Sequence, residues 1–216
     1  MIRRLLLGRR CVLCGGMLGL TDGERARLCP DCAAAVRREY RCPHGRAVDY
    51  CAQTDSALWY KGKVRRAMLR VKFYHRTGAL RWFAGQTAAR LLANQDSWQP
   101  DLVTFVPMAA PRRWARGYNQ SAVFAREAAA KCGLPCVDCL RRGLFSRRQS
   151  RMETPADRRR NAARGFAARK GVRLDGKRVV LVDDILTTGA TAEACARLLL
   201  GMGAAEVCLL TATRVP

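Results

Sequence analysis

The chain has 216 residues, 49% of them apolar, and carries 40 Lys+Arg against 17 Asp+Glu for a net charge of +23. That length allows one full domain with a small appendage and excludes two ordinary domains, while the apolar fraction excludes wholesale disorder. The charge points to a polyanionic partner such as nucleic acid, although most of it is arginine, which genomic base composition alone can enrich.

The opening MIRRLLLGRRC holds only three consecutive leucines, short of the roughly 7–15 apolar residues of a signal-peptide core. No stretch approaches the roughly 18 apolar residues of a membrane helix. A cytoplasmic protein without membrane insertion is therefore expected. In that compartment its 11 cysteines stay reduced, and regular spacing among them reads as metal ligation rather than disulfide bonding.

Cys11, Cys14, Cys29 and Cys32 form two C-x2-C pairs separated by 14 residues. Each pair can chelate one side of a tetrahedral ion, and the spacer brings the chain back with the other two thiolates, the arrangement of structural Zn2+. A segment of about 50 residues has too little core to fold unaided, so the ion acts as a staple. Residues 1–52 are accordingly read as a ribbon-like zinc module and 53–216 as the main domain. Cys42, His44 and Cys51 follow without a second chelating pair, so a complete second site is not expected and His44 is read as a surface residue.

From residue 57 to 92 a short strand, a turn at Gly62 and a helical pattern through Val64, Met68, Leu69 and Val71 are predicted. Lys72, Phe73 and Tyr74 could form a basic and aromatic set beside a substrate, or simply pack with a solvated lysine. DLVTFVP at 101–107 reads as a short strand closed by proline. A loop broken by Pro111, Gly117 and Asn119 should follow, and Ser121 can cap a helix running to about Lys131. The loop carries Arg112, Arg113 and Arg116, whose forked donors beside a helix start suit a phosphate.

Cys132, Cys136 and Cys139 have the spacing of an iron–sulfur ligand set, but too little chain follows for that chemistry, and LPCVDCL reads as a strand with small buried thiols. Residues 141–164 are arginine-rich and weakly periodic, the pattern of a lid or a disordered segment.

KRVVLVDD followed by ILTTGATAEACARLLLGMGAAEVCLLTAT predicts strand, tight loop, helix and strand, with Cys195, Leu198, Leu199 and Met202 on one helical face and glycines 201 and 203 at its end. Such a crossover implies a parallel sheet, and ligands of such sheets sit beyond the carboxyl ends of the strands, where Asp183 and Asp184 fall. The backbone and hydroxyls of Thr187, Thr188, Gly189, Ala190 and Thr191 can surround one phosphate at the helix start. Carboxylates do not bind phosphate, so the acids must hold another part of the same ligand. The vicinal hydroxyls of a ribose 5-phosphate meet that need. Neither a Walker loop nor a dinucleotide fingerprint is present, and a receiver domain would need most of its fold after the acid pair.

The stretch VVLVDDILTTGAT closely resembles the phosphoribosyl pyrophosphate signature of type I phosphoribosyltransferases. Together with the front cysteine pairs, VPMAAPRRWARGYNQ and RRQSRMETPADRRRNAARGFA, it resembles the ComF family, tied to DNA uptake in natural competence. The resemblance departs in the second cysteine set, which is reduced here to Cys42 and Cys51. It implies an α/β fold, a parallel sheet flanked by helices with a small four-cysteine zinc module in front. It also implies that Asp183 and Asp184 hold ribose hydroxyls and that Thr187 to Thr191 hold the 5′-phosphate. Arg112, Arg113 and Arg116 would lie near pyrophosphate and Mg2+, and the segment from Arg141 to Arg160 would be a lid.

Two functions follow as expectations. One is a phosphoribosyltransferase displacing pyrophosphate from C1 of the ribose, with an acceptor the sequence does not name. With few residues after the last strand, recognition of that acceptor would fall to the metal module. The other is a non-catalytic protein on the same fold that binds single-stranded DNA, or DNA-uptake machinery, through its basic surface. Bases would then stack on some of Trp59, Tyr60, Trp82, Trp114 and Tyr118, residues that otherwise belong to ordinary packing.

Overall fold

The computed structural model describes residues 9–19, 27–43, 45–74, 77–142 and 165–216. In chain order, α1 (Pro30–Ala35) runs into a π-helical turn (Val36–Tyr40). There follow β1 (Gln53–Trp59), α2 (Gly62–Tyr74), α3 (Thr77–Trp98), β2 (Leu102–Phe105), α4 (Ala110–Arg116) and α5 (Gln120–Cys132). The last part comprises β3 (Leu140–Arg142), β4 (Phe166–Ala168), β5 (Arg178–Leu186), α6 (Ala190–Gly201) and β6 (Glu206–Arg214).

β5 and β6 are apolar on both faces, as strands covered on both sides must be. They form the centre of a fully parallel sheet of order β1-β6-β5-β2. The period of two divides their side chains between two clusters. Val103, Val180, Val182, Cys208 and Leu210 pack with residues of α2, α3 and α5, whereas Leu102, Val179, Leu181, Val207 and Leu209 pack with α6. The predicted crossover is present as β5, α6 and β6, and Cys195 and Leu199 on the predicted face of α6 are fully buried.

Several local expectations are corrected. The stretch 110–116 is a short helix, because Pro111 sits in its first turn, where a missing N–H costs nothing. The α5 cap is Asn119, which accepts a hydrogen bond from Ser121 N at 3.1 Å and leaves the Ser121 hydroxyl free for another task. LPCVDCL is not a continuous strand: it touches the outer edge of β2 through the single bridge Val103↔Cys136, and Cys139 is buried. On α2 the fully buried face is Val64, Ala67, Met68 and Val71, with Leu69 partly exposed. His44 and most of the predicted lid lie outside the described residues.

The front segment shares the main core. Leu13, Cys32, Val36 and Tyr40 belong to the same apolar cluster as Met68 and Phe83. Arg70 of α2 donates to the carbonyls of Val12 at 2.9 Å and Leu13 at 2.6 Å. Beyond this, residues 41–43 and 45–52 form a strap beside β1, bridging at Arg41↔Leu58 and joining β6 through Ala52 N to Val207 O at 2.9 Å. Arg214, 5% exposed, stacks over Trp59 at 4.7 Å and donates to the strap carbonyls of Gly45 at 2.6 Å and Pro43 at 3.4 Å. Asp55, on β1, is held by Arg90 through two bonds of 2.6 and 2.8 Å and by Asn94 at 2.8 Å.

Candidate functional site

Asp183 and Asp184 lie inside β5, not at its end. Pairing with β2 stops at Phe105↔Val182, but pairing with β6 continues to Leu186↔Arg214. The acids therefore stand where one neighbour has ended and the other has not, which leaves one edge of β5 open beside them. Because successive side chains of a strand leave on opposite faces, the two carboxylates diverge instead of forming a pincer.

Asp183 accepts from the Ser121 hydroxyl at 3.0 Å and from the N–H of Asp184 at 2.8 Å. Burial pushes its carboxyl up to about 7, the charge of Asp184 adds to this, and the two hydrogen bonds and Lys72 only partly oppose it. Asp184 instead meets Lys72 of α2, whose Nζ lies at 2.8 Å, both side chains about one-fifth exposed at 21% and 17%. Thr213 fixes the backbone below by donating to the carbonyl of Asp184 at 3.0 Å.

The loop after β5 places Thr187 and Thr188 in solvent, with Ala190 and Thr191 half-buried. Gly189 is the cap of α6 at φ +93°, a conformation that favours glycine. The cap supplies no side-chain acceptor, so no cap side chain competes with a ligand for the first-turn N–H groups. A Cβ at Gly189 would meet Val48 of the strap at 3.4 Å. The strap also contributes Arg46, whose guanidinium donates to the Thr187 carbonyl at 2.8 Å.

The three arginines of α4 do not converge. Arg112 and Arg113 are exposed, whereas Arg116 is tied to Gln120 Oε1 at 2.8 Å. Of the three, only Arg113 lines a cavity of about 360 Å³ beside the end of β2, whose wall also carries Arg126, Arg141, Arg142 and Arg169. Of the five aromatics considered as base platforms, Trp82 is buried against Phe83, Trp59 is covered by Arg214, Tyr60 packs against the core and Tyr118 donates to the Val71 carbonyl at 2.7 Å. Trp114, on α4, is 76% exposed.

Cys11, Cys14, Cys29 and Cys32 come together with all four Sγ atoms within 4.8 Å of one another, and Cys14 and Cys29 at 3.9 Å. A tetrahedron with Zn–S bonds of about 2.3 Å has edges near ~3.8 Å, so the thiols fit that ion. Burial resists ionisation of Cys11, but N–H groups of Cys14, Cys29 and Leu13 outweigh it and lower the thiol to about 7. Burial and the neighbouring thiols raise Cys32 well above its ordinary value. Four thiols so placed need a cation to ionise together. Among the described residues this is the one group of three or more potential metal ligands; Cys42 and Cys51 are not part of another.

The family model for the phosphoribosyl transferase domain matches residues 119–216, the stretch that contains Asn119, Ser121, the acid pair and the Gly189 loop. Residues 119–216 thus resemble a phosphoribosyl transferase domain, in a chain that is similar to a competence protein along most of its length. Competence protein F of Haemophilus influenzae is 26% identical over 92% of this chain and 93% of its own length. DNA utilization protein YhgH of Escherichia coli K12 is 33% identical over half of this chain, and the chain spans about half of that protein, 47%. Among solved structures, one described as the allosteric regulatory enzyme of purine biosynthesis is 24% identical with a TM-score of 0.45, covering 67% of this chain and 30% of that one. Adenine phosphoribosyltransferase of Thermoanaerobacter pseudethanolicus is 18% identical with a TM-score of 0.41, covering 66% and 83%.

Around the acid pair and the Gly189 loop, sequence reasoning missed Ser121, Arg46 and Arg142. Ser121 was read only as a cap, and a hydroxyl next to the true cap is the signal that it had another partner. Arg46 and Arg142 come from distant segments, and only the strap and the β3–β4 pair bring them in. No helix among the described residues is long and apolar enough to cross a membrane.

Proposed function

We propose that this ComF-type chain binds phosphoribosyl pyrophosphate at the carboxyl rim of its sheet and serves DNA uptake as a phosphoribosyltransferase. The observation that carries the reading is the Gly189 loop, a helix start without a side-chain cap, adjoining the divergent pair Asp183 and Asp184. Thr187, Thr188, Gly189, Ala190 and Thr191 hold the 5′-phosphate through backbone N–H groups and hydroxyls. The acids accept from ribose hydroxyls, Asp183 oriented by Ser121 and Asp184 by Lys72. Arg112 and Arg113 face the pyrophosphate, and Arg116 supports the helix that presents them.

Carboxylate oxygens beside ligand phosphates suit Mg2+, which would be held mainly by the ligand's own oxygens with Asp183 and Asp184 nearby. When bound, it supplies positive charge to the leaving pyrophosphate. In the reaction the C1–O bond to pyrophosphate breaks as a nucleophile bonds to C1, and the negative charge of the nearby carboxylates stabilises the cation-like ribose. Zn2+ on Cys11, Cys14, Cys29 and Cys32 is structural. The basic surface and the exposed Trp114 support a second reading, a single-stranded DNA-binding protein on the same fold.

Calorimetric titration of the zinc-loaded protein with phosphoribosyl pyrophosphate and Mg2+, beside an Asp183→Asn, Asp184→Asn variant, separates them. Binding lost in the folded variant supports the sugar-phosphate site and justifies a search for released pyrophosphate. A folded wild type that does not bind leaves the DNA-binding reading.

A further inference from the structure

The cavity beside β2 gathers more positive charge than the sugar-phosphate site accounts for. Its wall carries the guanidinium groups of Arg113, Arg126, Arg141, Arg142 and Arg169 against one carboxylate, Asp138. Arg169 is the one neutralised among described residues, with Nη2 at 2.7 Å from Asp138 Oδ2. Arg126 and Arg142 rest on aromatic faces, over Phe105 at 5.9 Å and Phe166 at 4.9 Å. These contacts fix the guanidinium planes without using their donors. Two polar atoms here are buried with no hydrogen-bond partner in the structure: Arg142 Nε, a donor, and Asp138 Oδ1, an acceptor. Buried groups of this kind are costly when unsatisfied, so the wall presents one unmet donor and one unmet acceptor.

We infer that this cavity is a second anion site, which takes a phosphate monoester carrying an N–H donor. The phosphate meets Arg126, Arg141 and Arg142, forked cations suited to its oxygens. The N–H donor meets the free oxygen of Asp138, which a bare phosphate ion would leave unsatisfied or repel. The volume, about 360 Å³, is at the low end of ligand pockets, roughly 300–1,000 Å³, and suits a small molecule. Phe105, Pro107 and Val123 supply an apolar wall for the remainder of the ligand. The site shares Arg113 with the proposed pyrophosphate contact, but Arg126, Arg141, Arg169 and Asp138 lie outside the acid pair, the Gly189 loop and α4, and they carry the inference.

Nucleoside 5′-monophosphates are the simplest probes with both features, and they can be free molecules or the 5′-terminal unit of a strand. The test is calorimetric binding of the four ribonucleoside 5′-monophosphates, inorganic phosphate and a 5′-phosphorylated oligodeoxynucleotide to the zinc-loaded full chain. The wild type is compared with Arg126→Gln, Asp138→Asn and the Asp183→Asn, Asp184→Asn pair, each checked for an unchanged melting transition. At least one nucleotide should bind, weakening about tenfold or more in Arg126→Gln, while the double acid variant binds it as the wild type does. Asp138→Asn should reduce the preference for nucleotide over inorganic phosphate. A nucleotide that binds alone marks a metabolite, and an oligonucleotide that binds more tightly marks a strand end; either supports the site. Absence of nucleotide binding to folded wild type overturns the inference, as does binding abolished by the acid variant and unaffected by Arg126→Gln. Loss of phosphoribosyl pyrophosphate binding with nucleotide binding intact counts against the proposed function alone.

Discussion

Lys72 on α2 holds Asp184 at 2.8 Å, and this pair sets the charge around its neighbour Asp183. Lys72 is one of the influences that lower the Asp183 carboxyl, so Lys72→Met should raise it further. Carbon-13 NMR titration of the Asp183 carboxyl reads the shift directly. Because both partners are partly exposed, the accompanying loss of stability should be small, about 1 kcal/mol or less.

Asp183 should also make stability depend on pH. Its carboxyl is raised to about 7 in the folded chain from an ordinary 3.8. Below the ordinary value both folded and unfolded forms are protonated, and its favourable contribution is fully present. As pH rises the unfolded chain releases this proton first, so the contribution falls and is lost once pH passes about 7. Without ligand, Asp183→Asn should therefore gain stability relative to wild type as pH rises from about 4 to about 7. Denaturant melts at several pH values check it; parallel curves for the two proteins would contradict the argument.

Gly189→Ala places a Cβ in a conformation that costs about 1–2 kcal/mol and brings it to 3.4 Å from Val48. The variant should lose about that much stability. It should also lose phosphoribosyl pyrophosphate affinity out of proportion, since the loop backbone must turn away from the phosphate. Equilibrium unfolding and calorimetry on the same sample separate the two effects.

Arg90→Met should be the harsher change although it lies away from the acids. Arg90 is 15% exposed and its partner Asp55 2%, so the substitution removes a cation that makes two hydrogen bonds to a buried carboxylate. Losses of about 3–5 kcal/mol are usual in such cases, and thermal unfolding should show them.

Chelation should release one Zn2+ per chain and lower the melting temperature by more than the about 2–4 °C that 1 kcal/mol represents in a chain of this size. The reason is packing: Leu13 and Cys32 share a cluster with Met68 and Phe83. Metal analysis and calorimetry before and after chelation provide the check.

The parts legible in the sequence were those with local causes. The unbroken apolar runs of β5 and β6 announced a doubly covered parallel sheet, and the spacing of Cys11, Cys14, Cys29 and Cys32 announced a cluster that closes in space. The loop at Gly189 was legible because glycine and helix start adjoin in sequence. What was not legible depends on pairing at long range. That Asp183 and Asp184 diverge follows from β5 staying paired with β6 beyond Asp183, as far as Leu186↔Arg214, which no pattern in β5 reveals. Arg46 reaches Thr187 across 141 positions, and Arg142 meets the cavity through β3 and β4. Pro111 misled as a breaker because proline is equally at home in the first turn of a helix.

The strap has a consequence for how far this chain can be taken apart. The outer wall of the Gly189 loop is Val48, and the guanidinium on its Thr187 carbonyl belongs to Arg46. Both lie more than 70 residues before the matched domain begins at residue 119. A transplant carrying only the signature and its helix would take the glycine without the surface that shapes its turn. The Gly189 loop is thus a joint product of two remote stretches of polypeptide, and a minimal fragment meant to retain its shape must start ahead of residue 46.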